Sequence, residues 1–207
     1  MEPSRPPATE GQLIRSALGL KWSCLSPATR KRFETDPDTT VFYEGVMSEV
    51  RCSPLGRLIA LLGRCLGSPL IPHSGRDIPI HVMVYKKPGH PDIFKKRIYD
   101  FLGKQPFTVE TRMRTDDDGR FVEYAGLGLG MIMELSVEEG GLYFHGRGYV
   151  WDTPLGRVPV PAWLSPGLAH VEHRDGEPGS FRVRIEMRHP WFGVTFVQDG
   201  VFQEGHA

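Results

Sequence analysis

The chain has 207 residues, a length that suits one domain with a sizeable core better than two. Its 25 Lys and Arg balance 25 Asp and Glu, so no net field gathers polyanions and nucleic-acid binding is set aside. A hydrophobic fraction of 40% with 24% charged residues excludes wholesale disorder, and 24 Gly with 18 Pro favour many turns over long helices.

Residues 1–10 are polar and proline-rich and are expected to form a flexible tail, leaving 11–207 as a single β-rich domain. Leu13, Ile14, Leu18, Trp22 and Leu25 recur at helical spacings. Ser26-Pro27 then reads as the N-cap and first residue of a second short helix toward Phe33. Thr40 to Cys52 reads as a strand, and Ser53-Pro54 caps an apolar helix from Leu55 to Leu66 that Gly67 can close. That stretch carries Arg57 and Arg64 and falls well short of the roughly 20 residues needed to span a bilayer, so no transmembrane segment is expected. Residues 91–102 are a further helical candidate. The cysteines Cys24, Cys52 and Cys65 form no C-x-x-C pair and no secretory leader is evident, so a cytoplasmic location is expected.

After Pro79 the period changes to two. Ile80, Val82 and Val84 alternate with His81, Met83 and Tyr85, and Phe107, Val109, Thr111 and Met113 alternate with Thr108, Glu110, Arg112 and Arg114. Leu127, Leu129, Met131, Met133, Leu135 and Val137 continue the pattern; Glu139-Gly140-Gly141 turns it into Leu142 to Trp151. Phe181, Val183, Ile185 and Met187 form the cleanest apolar stripe, opposed by Arg182 and Arg184, before a last strand from Trp191 to Phe202. The class is therefore mainly β (α+β): a curved antiparallel sheet or closed barrel of about eight to ten strands, with two or three N-terminal helices covering one mouth. A two-sheet sandwich stays open as the alternative.

Several segments together resemble the bacterial family named domain of unknown function 4166. They are Trp22-Ser-Cys-Leu25-Ser-Pro27 with Arg30 and Phe33, Gly45-Val-Met47, Pro79-Ile-His-Val82, Phe121-Val-Glu123, Pro159-Val-Pro161-Ala-Trp163-Leu164 and His189-Pro190-Trp-Phe-Gly193. The resemblance runs from about residue 18 to 203 and implies an aromatic-x-Gly-x-Phe ending; here Gln198 replaces the aromatic before Gly200 and Phe202. It also implies a metabolic setting and an NAD(P)-dependent oxidoreductase domain as a partner, since members occur alone or joined to dinucleotide-binding domains; it supplies no catalytic residues.

The polar residues that merit attention are those whose parity turns them toward the apolar face. Glu123 shares parity with Leu127, Leu129 and Met131, and His189 with Phe181 to Met187, making the two the candidate acid–base pair of a small isomerase or dehydratase. The alternative is that each is bonded structurally at a strand end. His170 and Glu172 share one face and His173 takes the other, so a metal would need a further ligand such as His145 or His81; solvated strand polarity is the simpler account, and neither metal nor cofactor is expected. Gly126, Gly128 and Gly130 lack the helix that a phosphate-cradling loop must open, and read instead as a thinned strand beside a ligand. There is no G-x-S-x-G elbow. The leading expectation is an apolar or amphipathic small molecule bound inside the barrel by Met131, Met133, Trp163 and Gly128.

Overall fold

A computed structural model of the chain describes residues 9–35, 39–63 and 70–205. The first helix, α1 (Glu10–Leu18), starts at a capping box: the Gln12 amide donates to Thr9 Oγ1 at 3.1 Å and the Thr9 amide to Gln12 Oε1 at 3.0 Å. Thr9 and Glu10, expected in a tail, are therefore ordered and buried; residues 1–8 of that tail lie outside the described residues. A 3-10 segment (Gly19–Cys24) leads to α2 (Pro27–Phe33), whose cap Ser26 accepts from the Thr29 amide at 3.0 Å, as the Ser-Pro signal requires. The Ser26 amide donates to Gly140 O at 2.9 Å and its hydroxyl to Asp175, which ties α2 to the barrel wall. Ser53 likewise caps α3 (Pro54–Gly63) through the Gly56 amide. Arg64, Cys65 and the expected closure at Leu66 and Gly67 lie outside the described residues.

Eleven strands follow from the remaining described residues: β1 (Val41–Cys52), β2 (Ile78–Lys86), β3 (Ile93–Tyr99), β4 (Phe107–Thr115), β5 (Phe121–Tyr124), β6 (Leu129–Glu138), β7 (Gly141–Thr153), β8 (Gly156–Val160), β9 (Leu168–Asp175), β10 (Ser180–His189) and β11 (Gly193–Glu204). Each pairs antiparallel with its sequence neighbour as far as β7; β7 then pairs with β9 over Leu142–His145, and β11 returns to β1. Ten strands thereby close a ring without free edges, and β8 hangs on β7 beyond the point where β9 leaves it. The barrel, not the sandwich, is the architecture. Closure brings backbones together at Gly45, where a Cβ would lie 2.6 Å from both Val201 O and the Phe202 ring.

Three further sequence readings differ from the structure. Residues 91–102 contain β3, not a helix. Leu127 does not join the inward stripe: residues 126–128 form a 3-10 turn in which Leu127 (φ 53°) and Gly128 (φ 80°) are left-handed and Leu127 is exposed, so the glycines do not alternate along one strand. Nor do all helices cover one mouth. β1 starts beside α2 and ends at α3, so α3 sits at the opposite end of that strand, anchored by the Ser53 amide on Thr195 O at 2.9 Å. β8 carries Pro159, which cannot donate to a ladder and is tolerated because β8 is an edge strand.

A partly buried arginine–carboxylate web holds β8 down. Arg157 reaches Asp116 Oδ2 at 2.7 Å and Asp152 Oδ1 at 2.6 Å, while Tyr124 donates to Asp152 Oδ2 at 2.8 Å. The Arg157 hydrogen bond, against a smaller opposing effect of burial, depresses the Asp152 pKa from 3.8 to about 2. A depressed carboxyl contributes stability that is present above its unfolded pKa and lost as pH falls through the folded one. We therefore expect the stability gap between the wild type and Asp152→Asn, read from urea midpoints, to be full above about pH 4 and to shrink toward pH 2. In the core, Leu142 is 0% exposed, so Leu142→Ala should cost about 2–5 kcal/mol in the same titrations, whereas half-exposed Val201→Ala should stay within about 0.5 kcal/mol.

Candidate functional site

The interior of the ring is not filled. Two adjoining chambers occupy it, with about 80 and 130 Å³ open to the centre of a water molecule, where roughly 10–15 Å³ suffices for one water. The upper chamber lies under Glu10, Arg32 and Phe33 of α1 and α2; the lower one runs toward Leu70, Ile71 and Phe196. Both are mainly apolar, and Arg97, Glu123, Met133, Val171, Ile185 and Gln198 belong to the walls of both. Ile185, expected in the dry stripe with Phe181 and Met187, is only partly buried because it faces this space.

A polar belt crosses the barrel where the chambers meet. β3, β4 and β5 are adjacent, and their inward positions place Arg97, Thr111 and Glu123 side by side. Arg97 donates to Glu123 Oε1 at 3.1 Å and to Thr111 Oγ1 at 3.1 Å, and the Thr111 hydroxyl donates to the same Glu123 oxygen at 2.7 Å. Across the ring, Tyr99 donates to Gln198 Oε1 at 3.0 Å. The Glu123 side chain retains 25% exposure although the barrel encloses it, so the surface it presents faces the cavity. Burial would raise its pKa, but the charges of Arg97 and Lys95 and the bonds from Thr111 and Arg97 outweigh that and hold it below the ordinary value. Glu123 is thus an ionised anchor, and a carboxylate held ionised is poorly placed to donate a proton near neutrality.

The expected partner His189 is elsewhere. It is 2% exposed and inward by parity, yet it lines neither chamber: Nε2 lies 3.3 Å from Trp163 O, and Nδ1 accepts from the Trp191 amide at 3.2 Å. It fastens the β10–β11 hairpin to the 3-10 turn Ala162–Leu164, and the barrel does not bring it together with Glu123 in either chamber. Trp163 is 53% exposed, stacked on Trp191 at 6.3 Å, and also lies outside both linings. Gly128 does too; a Cβ there would meet Asp152 O at 2.4 Å, so its role is the close approach of the turn to β7. Met131 lines the lower chamber and Met133 lines both.

The histidines of β9 divide as the period of two requires. His170 sits 3.3 Å from Glu172 and 3.1 Å from His145 on the outside, where burial and the neighbouring His170 lower the His145 pKa. His81 stands apart, 3.8 Å from Glu44. Among the described residues no group of three or more His, Cys, Asp or Glu is arranged to hold a metal ion. His173 turns inward to the upper chamber, where burial, then Arg32, drive its pKa well below the ordinary value and leave it neutral.

Several polar lining residues were not among the site candidates read from the sequence. Lys95 and Arg97 of β3 are inward cations between Ile93 and Tyr99, a placement that becomes legible only once β3 is paired to Thr111 and Val109. Arg32 comes from the short helix α2, and Gln198 stands where the family resemblance implies an aromatic. Among the described residues no helix is long and apolar enough to cross a membrane.

Several known proteins are similar to this chain. The uncharacterized protein YndH of Bacillus subtilis (strain 168) is 27% identical over 196 residues, covering 89% of this chain and 93% of that protein. Among solved structures, a mutant of the fluorescent protein UnaG is similar over 80% of this chain and 95% of its own, with 10% identity and a TM-score of 0.34. Rv2717c from M. tuberculosis is similar over 88% and 99%, with 11% identity and a TM-score of 0.39. The family model described as Domain of unknown function (DUF4166) matches residues 25–202, and a match across that much of the chain makes this protein a member of that family.

Proposed function

We propose that the protein binds an apolar or amphipathic small molecule inside the barrel. The observation that supports this reading is the pair of unfilled, mainly apolar chambers joined by a small number of fixed polar groups, which is the usual composition of a ligand pocket. A core meant only to stabilise the ring would be packed at crystal-like density, since each void forfeits dispersion contacts. Met131 and Met133 add adaptable walls that can re-pack around differently shaped apolar groups. The acid–base enzyme reading has less support, because Glu123 is committed to Arg97 and Thr111 while His189 binds backbone outside the chambers. The oxidoreductase partner implied by the family resemblance fits a carrier as the consumer of its cargo.

Nile red, an uncharged apolar fluorophore, tests the reading. The wild type should bind one equivalent, with enhanced and blue-shifted emission. Val171→Phe, which pushes a ring into the wall common to both chambers, should weaken binding by about tenfold or more with an unchanged circular dichroism spectrum. Folded wild-type protein that does not enhance the dye would sink the proposal.

A further inference from the structure

The upper chamber holds a cation, Arg32, that the protein satisfies only in part. Five ionised side chains line it: Arg32, Lys95 and Arg97 against Glu10 and Glu123. Two cations are matched, Lys95 to Glu10 at 2.6 Å and Arg97 to Glu123 at 3.1 Å. Arg32 is not matched in the same way. It is 7% exposed, the carboxylate oxygen it faces, Asp175 Oδ1, is 3.9 Å away, and Asp175 is already engaged by the hydroxyls of Ser26 and Thr29. Among the described residues its guanidinium makes one hydrogen bond, a long one of 3.5 Å to Thr29 Oγ1, and its buried Nε finds no partner.

Arginine does not shed its charge in a protein, and a guanidinium buried with unused donors is costly unless something completes it. The local packing fixes the group without satisfying it: the guanidinium carbon lies 4.0 Å over the Phe181 ring and 5.2 Å from that of Phe33, contacts that favour a cation but accept no N–H in the guanidinium plane. His173, neutral in the same chamber, adds no second positive charge beside it.

We propose that Arg32 is the head-group site of the pocket, and that the bound molecule is a singly charged amphiphile whose carboxylate pairs with this guanidinium. The proposal rests on the small-molecule reading above and specifies its ligand class. Arg32 has only the long ion pair to Asp175 and keeps in-plane donors without acceptors, and the guanidinium fork suits the two oxygens of one planar carboxylate; with Glu10 and Glu123 also in the lining, a singly charged group is favoured over a doubly charged phosphate monoester. The tail then lies among Val82, Val84, Phe144 and Phe181, with the Arg97–Glu123 belt at the far end of the chamber. Because Arg32 sits on α2, the head group would also tie that helix to the barrel.

Calorimetric titration of the full chain with octanoate and with octanol, equal in chain length and different in charge, separates this proposal from the one it rests on. Octanoate should bind about tenfold or more tightly than octanol to the wild type at neutral pH. Arg32→Met should remove that preference, and Arg32→Lys should keep part of it. Equal affinities in the wild type, or a preference that survives Arg32→Met, would overturn the role of Arg32 while Nile red binding still upholds the cavity. Loss of Nile red binding in the wild type would overturn both. If Arg32→Met does not fold, the wild-type comparison and Arg32→Lys decide the matter alone.

Discussion

Closing ten antiparallel strands into a ring removes every strand edge from the wall and at the same time sets a bore wider than inward side chains readily fill. About eight strands is the size at which side chains just fill a barrel, so two more leave space that must be filled by bulky residues, by helices or by a ligand. The chain uses the first two only in part: Ile14, Trp22 and Phe33 of the N-terminal segments join the core, yet both chambers persist beneath them. The polar belt, the placement of α2 and the functional reading all follow from that surplus of width.

An interior of this kind lets charged groups sit where a packed core would reject them. Arg97 and Glu123 are enclosed, and an isolated buried charge would be strongly unfavourable, but the pair is hydrogen-bonded through Thr111 and faces a cavity large enough for water or ligand atoms. Such a pair is weak evidence for stability. It does supply fixed orientation, and it divides an apolar space into two compartments of different character, with Glu10, Arg32 and Lys95 at one end and Phe196, Met187 and Tyr149 at the other. His189 belongs to a different task, joining a hairpin to a turn, which is a frequent fate of a polar residue at a strand end.

Parity reading succeeded wherever a strand has one wet and one dry face. Ile80, Val82 and Val84, then Val109, Thr111 and Met113, and Phe181, Val183 and Met187 are all buried as their alternation requires, and Glu123 points inward. At β3, read from the sequence as helical, the alternation is inverted: Lys95 and Arg97 face the cavity while Phe94 is buried on the outside under Tyr85, His90 and Lys87. Parity reading failed at residues 126–128, where Leu127 adopts a left-handed conformation that no period-two count would assign to a leucine. Trp163 and Gly128 drew attention through residue type, yet one stacks on Trp191 at the surface and the other serves a backbone approach.

The sequence by itself determined the β-rich class, the starts of two helices at Ser26 and Ser53, the inward direction of Glu123, Met131 and Met133, and the family. These are local properties, set by caps and by a side-chain period of two, and the family by short motifs along one chain. Only the tertiary structure decided that β6 meets β7 and β11 meets β1 to close a ring, that Glu123 is matched by Arg97, that Gln198 meets Tyr99 from 99 residues away, and that Arg32 is left without a full partner. The physical reason is that enclosure and charge matching depend on through-space neighbours, and in a closed barrel each inward residue acquires neighbours across the bore that no spacing along the chain records.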